Sequence, residues 1–462
     1  HARIFDAYFR EQYATSDVGP KTGPTRNPFA IIALGGYGRQ EQCVHSDIDL
    51  LFLFEKRVPK IAVDLVDEML FPLWDLGVEV GHTTRSINDC VEEARSDLEN
   101  FTAMLDARFI CGMSPLFAKL ESTLRNRILA KQSDQIIHQL VVNNRRRHKR
   151  FGDSTHLLQP NLKEGHGGLR DYHTLLWVTH INSRVRSRRD LEYRGCLSHD
   201  EFSSLEDTLA FIWQVRNHLH LLVGRKCDQL YFEHQEKLAQ IMDVAPVNGE
   251  QPVERFLGEL HGKMAWLKYL GDMFLYEHDR EKSTARTKAS GSRAGHSGLV
   301  LEKGMLNFRS SEEIVGEPEL LMKIFRDSAR LNVPLTPEAK RLVREFSHLV
   351  DTGFRRSKSV MNAFERILVT PSGLFNVLNE MLDTGFLIHF LPEFKNISNR
   401  ILYNAYHIYP VDRHSLRVVG TLKSFGTPDD ITGCQLCADL YKEIVNKKLL
   451  CWAALLHDIA KG

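Results

Sequence analysis

The chain has 462 residues, 43% of them hydrophobic and 26% charged; at about 150 residues per domain this allows roughly three domains with cores of their own. Sixty Lys and Arg against 59 Asp and Glu leave a net charge of +1, which argues against a nucleic-acid binder working through bulk positive charge. No apolar run reaches the roughly 18 residues of a membrane-spanning helix, and eight irregularly spaced cysteines do not suggest a disulfide framework. Cys434 and Cys437 form a single C-x-x-C without a second pair, a pattern weighed against zinc or redox chemistry. With no basic-then-apolar leader, the expected location is the cytoplasm. The chain begins at His1 and stops just after the apolar segment 449–460, which reads as a piece of a longer protein.

Taken in order, residues 15–27 are polar and rich in Gly and Pro and predict a loop. Residues 29–34 (FAIIAL) predict a buried strand, broken by Gly35-Gly36-Tyr37-Gly38, and residues 48–54 (IDLLFLF) a second. Apolar positions at helical spacing over 61–76 predict a helix, and 77–84 (GVEVGHTT) a third strand. From Cys90 to about Lys282 the pattern is almost entirely helical. Residues 280–298 lack large apolar side chains and predict a linker. Helical patterning resumes at Glu312, and no internal repeat is found. The expected fold class is α+β: a small mixed-sheet domain (1–130), a helical domain (131–280), a linker (281–300) and a further helical region (301–462).

Asp47 and Asp49 carry the first chemical signal. On a strand they point to one side while Ile48 points into the core. Two adjacent carboxylates repel unless a cation lies between them, and Mg²⁺, which takes oxygen ligands and bridges carboxylates to phosphates, suits the position. The preceding Gly35-Gly36 turn lets backbone N–H groups approach a polyphosphate, with Ser46 beside the pair. The alternative is an ordinary strand edge with capping aspartates. G-G-x-G-R followed by S-D-x-D-L resembles the nucleotidyltransferase superfamily, whose two aspartates hold the catalytic metals and whose third carboxylate comes from a later strand. Glu79 is the candidate for that third position, ahead of Asp75 and Asp89.

The second signal is the Gly-rich segment 161–171 (NLKEGHGGLRD), in which Lys163 and Arg170 offer charge-assisted hydrogen bonds to phosphate or ribose. Asp171 is placed to cap the following helix. The segment resembles the K-x-G-x-G-G-L-R-D element of bacterial PII uridylyltransferases and glutamine synthetase adenylyltransferases; 213–220 and 224–230 also look like the helical domain of the former. The basic run 145–150 (RRRHKR) and Arg184, Arg186, Arg188 and Arg189 are read as solvated helix faces in preference to phosphate or partner contacts.

The third signal is His414 with His457-Asp458. Imidazole and an adjacent carboxylate are a common pair of metal ligands, completed by a distant histidine, and such a metal supplies hydroxide for phosphodiester hydrolysis. H-x-Y-x-V-D-x-H, later followed by L-L-H-D-I-A-K-G, resembles the entry to an HD-type phosphohydrolase domain, which implies that His414, His457 and Asp458 are ligands of a divalent metal and that a further aspartate lies beyond this chain.

The order of all three resembles the bifunctional PII uridylyltransferase/uridylyl-removing family. That implies transfer of UMP from UTP to a tyrosine of PII at a Mg²⁺ site, removal of UMP at the HD site, and glutamine as an effector through C-terminal ACT domains that nothing here matches. It implies no nucleic-acid or membrane partner. A glutamine synthetase adenylyltransferase, a tRNA-tailing nucleotidyltransferase and a catalytically silent scaffold are the rival readings.

Overall fold

The computed structural model describes residues 1–18, 28–151, 159–183, 185, 187–246, 250–286, 292–293, 298–302, 304–371, 376–403, 410–426 and 434–461. The chain divides into two compact units, His1–Gly152 with Asn161–His234, and Asp153–Pro160 with Gln235–Gly462. Among the described residues no helix is long and apolar enough to cross a membrane.

The first unit is built on a four-stranded sheet. Its strands are β1 (Phe29–Ala33), β2 (Ile48–Phe54), β3 (Val80–Ser86) and β4 (Arg108–Gly112), in the order β3-β2-β1-β4. β2 and β3 are parallel and the other pairs antiparallel, so the sheet is mixed. The parallel pair needs a crossover, which the helix Ala62–Asp75 supplies. Side-chain alternation sorts two cores onto the two faces. Phe29, Ile31, Ala33, Ile48, Leu50, Phe52 and Phe54 pack with residues of the helices Ala2–Thr15 and Ala62–Asp75. Ala30, Ile32, Leu51 and Leu53 pack with residues of the helices Ile87–Ser96, Leu98–Leu105 and Ser114–Leu124. Long helices Ala130–Phe151, Leu169–Ser183 and His199–Val223 complete the unit.

Four local outcomes differ from the sequence reading. β4 falls within the stretch expected to be helical; it is only five residues long, too short for its periodicity to register, and it is held by pairing with β1. The third strand begins at Val80 because Gly77, at φ +74°, closes the preceding helix with its N–H on the Trp74 carbonyl. Gly35–Gly38 winds into one helical turn. The helix Pro252–Arg286 extends into the expected linker and a short strand forms at Ser292–Arg293; 287–291 and 294–297 lie outside the described residues, as does 19–27 of the expected N-terminal loop.

The second unit is mostly helical, with a three-stranded antiparallel sheet of Ser292–Arg293, Leu299–Glu302 and Met305–Phe308. Leu321, Phe325, Phe364, Phe386, Phe390, Leu416 and Leu455 belong to one continuous core. Asp412 fixes the start of the helix Val411–Ser424 by accepting the Asn399 N–H at 2.8 Å. Cys434 and Cys437, discounted in the sequence, are joined as a disulfide with 5.3 Å between Cα atoms; a three-residue spacing across a helix start brings the two side chains within reach. The other six cysteines are free.

Candidate active site

Parity along β2 decides where the two aspartates go. Residues 47, 49, 51 and 53 share a face; Leu51 and Leu53 are in the core beneath the helices, while Asp47 and Asp49 pass beyond its end. They emerge in a cleft of about 690 Å³ that is also lined by Gly35, Gly36, Ser46, Lys163 and Arg170. Seven of the eight candidate residues of the first two signals therefore line one cavity. The eighth, Glu79, precedes β3. The parallel register sets Ile48 opposite Val80, so Glu79 adjoins Asp47; its carbonyl accepts the Ile48 N–H at 3.0 Å, and its carboxyl is near enough to Asp47 to act on that group's protonation. The poorer candidates lie elsewhere in the fold: Asp75 ends the Ala62–Asp75 helix, and Asp89 caps the next one together with Ser86.

The register also sets Asp49 opposite Gly81. A Cβ at position 81 would lie 2.8 Å from Asp49 Oδ1, so the carboxylate uses space that only glycine leaves. Gly35, at φ +51°, turns the chain immediately after β1, and a Cβ there would meet Asp49 Oδ2 at 3.6 Å. Burial pushes the Asp47 carboxyl up, but the Lys226 ammonium, 2.5 Å from Oδ2, outweighs it and holds the group below its ordinary value. The Asp49 carboxylate sits down among the cleft walls although its residue surface is open; desolvation and the neighbouring Asp47 charge both push it up. Such a pair fits an oxygen-liganded divalent cation, which would relieve the repulsion within it.

A buried network fixes the turn. Tyr37, fully buried, donates its hydroxyl to Asp6 at 2.8 Å, and Arg108 clasps the same carboxylate at 2.8 and 3.0 Å. Gly38 admits the Asp106 carbonyl, which a Cβ would approach to 2.1 Å. Arg39 bridges Glu41 and Asp106, and Glu41 also receives the Tyr172 hydroxyl at 2.8 Å and His173 Nε2 at 3.2 Å. Burial raises Glu41, yet His173 and Arg39 bring it down to about 2. Tyr37 and Arg39 stand within the glycine motif of the sequence without an assigned role there, and sequence reasoning missed Glu41 and Asp106; charge just after the glycine turn is a local signal for Arg39 and Glu41, while nothing local marks Asp106, 67 positions beyond Arg39.

The Gly-rich loop is shaped by its own asparagine and glycines. Asn161 Oδ1 accepts the N–H groups of Lys163 and Glu164 at 3.1 and 2.7 Å, and Gly168 lies against the Lys163 carbonyl, 2.7 Å from where a Cβ would stand. Asp171 does more than cap the helix: it accepts the Gly167 N–H at 2.7 Å and pairs with Arg147 and His148. Burial and the nearby Arg170 charge lower the Lys163 ammonium. In the basic run, Arg145, Arg146, Lys149 and Arg150 are exposed as expected, but Arg147 is not; Arg146, Arg147 and Arg150 all line the cleft, a departure from a purely solvated face. Arg184 and Arg186 lie outside the described residues, and Arg188 packs over the Trp213 ring.

In the second unit His414, His457 and Asp458 each offer a ligand atom within 4.8 Å of the others. His457 Nδ1 donates to the Ala454 carbonyl at 2.7 Å, which leaves the Nε2 lone pair on the side of Asp458, 3.4 Å away. A hydrogen bond from the other ring nitrogen to a backbone carbonyl orients an imidazole for a metal. Burial raises the Asp458 carboxyl, and the Lys461 hydrogen bond at 2.9 Å brings it below its ordinary value. Residues 404–409 of the motif before His414 lie outside the described residues.

Fold and site thus define an α+β protein with a carboxylate pair under a glycine turn in a cation-lined cleft. Residues 135–275 match the family model described as GlnD PII-uridylyltransferase, and residues 300–390 the one described as uridylyltransferase GlnD third domain. Over 448 residues the chain is 33% identical to a bifunctional uridylyltransferase/uridylyl-removing enzyme of Cereibacter sphaeroides, covering 96% of this chain and 48% of that protein. Proteins of the same description from Novosphingobium aromaticivorans and Azospirillum brasilense are each 32% identical, over 95% of this chain and 48% of theirs. The chain belongs to the GlnD uridylyltransferase family. It spans about half the length of the curated relatives it matches. Asp47 and Asp49 lie outside both matched stretches, so their grouping with Lys163 and Arg170 rests on the cleft itself.

Proposed function

We propose that this chain carries the uridylyl-transfer half of a bifunctional enzyme, moving UMP from UTP to a tyrosine of the signalling protein PII with release of pyrophosphate. The observation that carries the reading is the single cleft uniting Asp47 and Asp49 with Gly35, Gly36, Lys163 and Arg170. Asp47 and Asp49, with Glu79 beside them, are the proposed ligands of Mg²⁺, which when bound supplies positive charge for the triphosphate and the attacking oxygen. The Gly35-Gly36 turn lets backbone approach phosphate, with Ser46 at its side. Lys163 and Arg170, held by the Asn161–Asp171 loop, add charge where the leaving pyrophosphate develops it. The acceptor is protein rather than nucleic acid, and the reaction is assigned to the cytoplasm.

The His414, His457 and Asp458 cluster is the proposed divalent-metal site of uridylyl removal, an activity that draws on parts of the longer protein. Glutamine control is likewise assigned outside these 462 residues. The test is transfer of α-labelled UTP or ATP to PII with Mg²⁺, with Asp47→Asn and Asp49→Asn as controls. Label from UTP that both controls abolish is the expected result. Label from ATP alone would make the chain an adenylyltransferase, and none from either would make the cleft silent.

A further inference from the structure

We propose that Lys226 is the internal counter-ion of the carboxylate pair: it holds Asp47 until a divalent cation arrives, then passes to the polyphosphate of the incoming nucleotide. The inference rests on the reading of the cleft as a metal-dependent nucleotide site.

Four other cations of the cleft have carboxylates of their own, and Lys163 acts on Asp47 and Asp49 through its charge, with no ion pair to either among the described residues. Arg39 bridges Glu41 and Asp106, Arg147 pairs with Asp171, Arg170 with Glu164 and Arg216 with Asp228. Among the described residues, the salt bridge to the group Asp47, Asp49 and Glu79 comes from Lys226, at 2.5 Å. Its base is fixed, and its tip is held by Asp47 alone among the ion pairs of the described residues while staying partly exposed. Gly224, at φ +72°, ends the helix His199–Val223 and redirects the chain. Two residues past Lys226, Asp228 is pinned by Arg216 at 2.6 Å, and its carbonyl accepts the Leu162 N–H at 2.8 Å. Between these anchors the Lys226 side chain remains 39% exposed, and Asp47 38%.

An ammonium touching Asp47 and a divalent cation on the same oxygens repel each other, so binding of the second requires withdrawal of the first. Lysine suits this exchange because it is a compact charge on a flexible stem, whereas arginine favours fixed, forked pairs. Once withdrawn, the ammonium remains at the mouth of the cavity that also holds Lys163 and the glycine turn, where a triphosphate offers it a new partner.

The experiment is calorimetric titration of the full chain with Mn²⁺ in the absence of nucleotide, in a His457→Ala background that removes the second candidate metal site. Lys226→Met should bind Mn²⁺ about fivefold more tightly than the parent, the scale of a half-exposed ion pair, and UTP with Mg²⁺ about tenfold more weakly, the scale of one charge-assisted hydrogen bond. Lys226→Arg should stay nearer the parent in both titrations. Equal or weaker Mn²⁺ binding by Lys226→Met overturns the counter-ion role, and unchanged UTP affinity overturns the transfer to phosphate. Asp47→Asn separates the two levels. If it leaves Mn²⁺ binding intact, the metal-site reading itself fails and this inference with it.

Discussion

Asp49 Oδ1 stands in the space that a side chain at position 81 would fill, 2.8 Å from an ideal Cβ there. The strand pairing that sets these residues side by side thus also sets the position of one of the two proposed metal ligands. Gly81→Ala should move that carboxylate while leaving the sheet intact, because the obstructed atom is the end of a side chain. We expect a loss in transfer rate of about 10- to 100-fold, the scale of a small misplacement at a reacting centre, with little change in thermal midpoint. Wild-type turnover in Gly81→Ala would show that Asp49 tolerates the shift.

Glu41 ties the glycine turn to the Leu169–Ser183 helix through Tyr172 and His173. Its carboxyl is held at about 2 against an ordinary 4.5. A lowered carboxylate contributes stability that is fully present above the ordinary value and is lost as pH falls towards the folded one. Glu41→Gln should therefore cost about 3 kcal/mol at neutral pH, and the difference between the two proteins should shrink between pH 4.5 and 2. Urea unfolding at a series of pH values measures it, and a difference independent of pH would refute the assignment.

His457→Ala should remove one Mn²⁺ from the stoichiometry of the full chain without affecting label transfer to PII. Calorimetry in parallel with the transfer assay reads both. Unchanged stoichiometry would mean that His414 and Asp458 hold no metal with His457.

Lys423 is buried in the second unit, 1% exposed, and donates to the Ile367 carbonyl at 2.9 Å. Burial lowers its ammonium from 10.5 to about 8. Between those values the unfolded chain holds a proton that the folded chain has released, so this group makes stability rise with pH across that window. Lys423→Met should abolish the rise. At neutral pH it should gain about 1 kcal/mol, as relief of the buried charge exceeds the loss of the carbonyl's donor. Thermal midpoints of both proteins from pH 7 to 10 provide the test; parallel curves would argue against it.

The sequence by itself carried the local rules. Alternation along 48–54 determined that Asp47 and Asp49 share a side, and β2 occupies just those residues. Apolar spacing determined the helix near 61–76, observed as Ala62–Asp75, and the glycines of 35–38 and 165–168 marked turns. These features depend on neighbours within a few positions, so periodicity and turn chemistry reveal them. β4 did not show itself, since a five-residue strand owes its existence to the partner β1. Nor could spacing reveal that Glu79 lies beside Asp47, that Gly81 makes room for Asp49, or that Lys226 reaches Asp47 from 179 positions away. Those juxtapositions arise from strand register and from long helices returning Lys163, Arg170 and Lys226 to one cleft, and the tertiary structure alone decided them because contacts between distant segments leave no period in the chain.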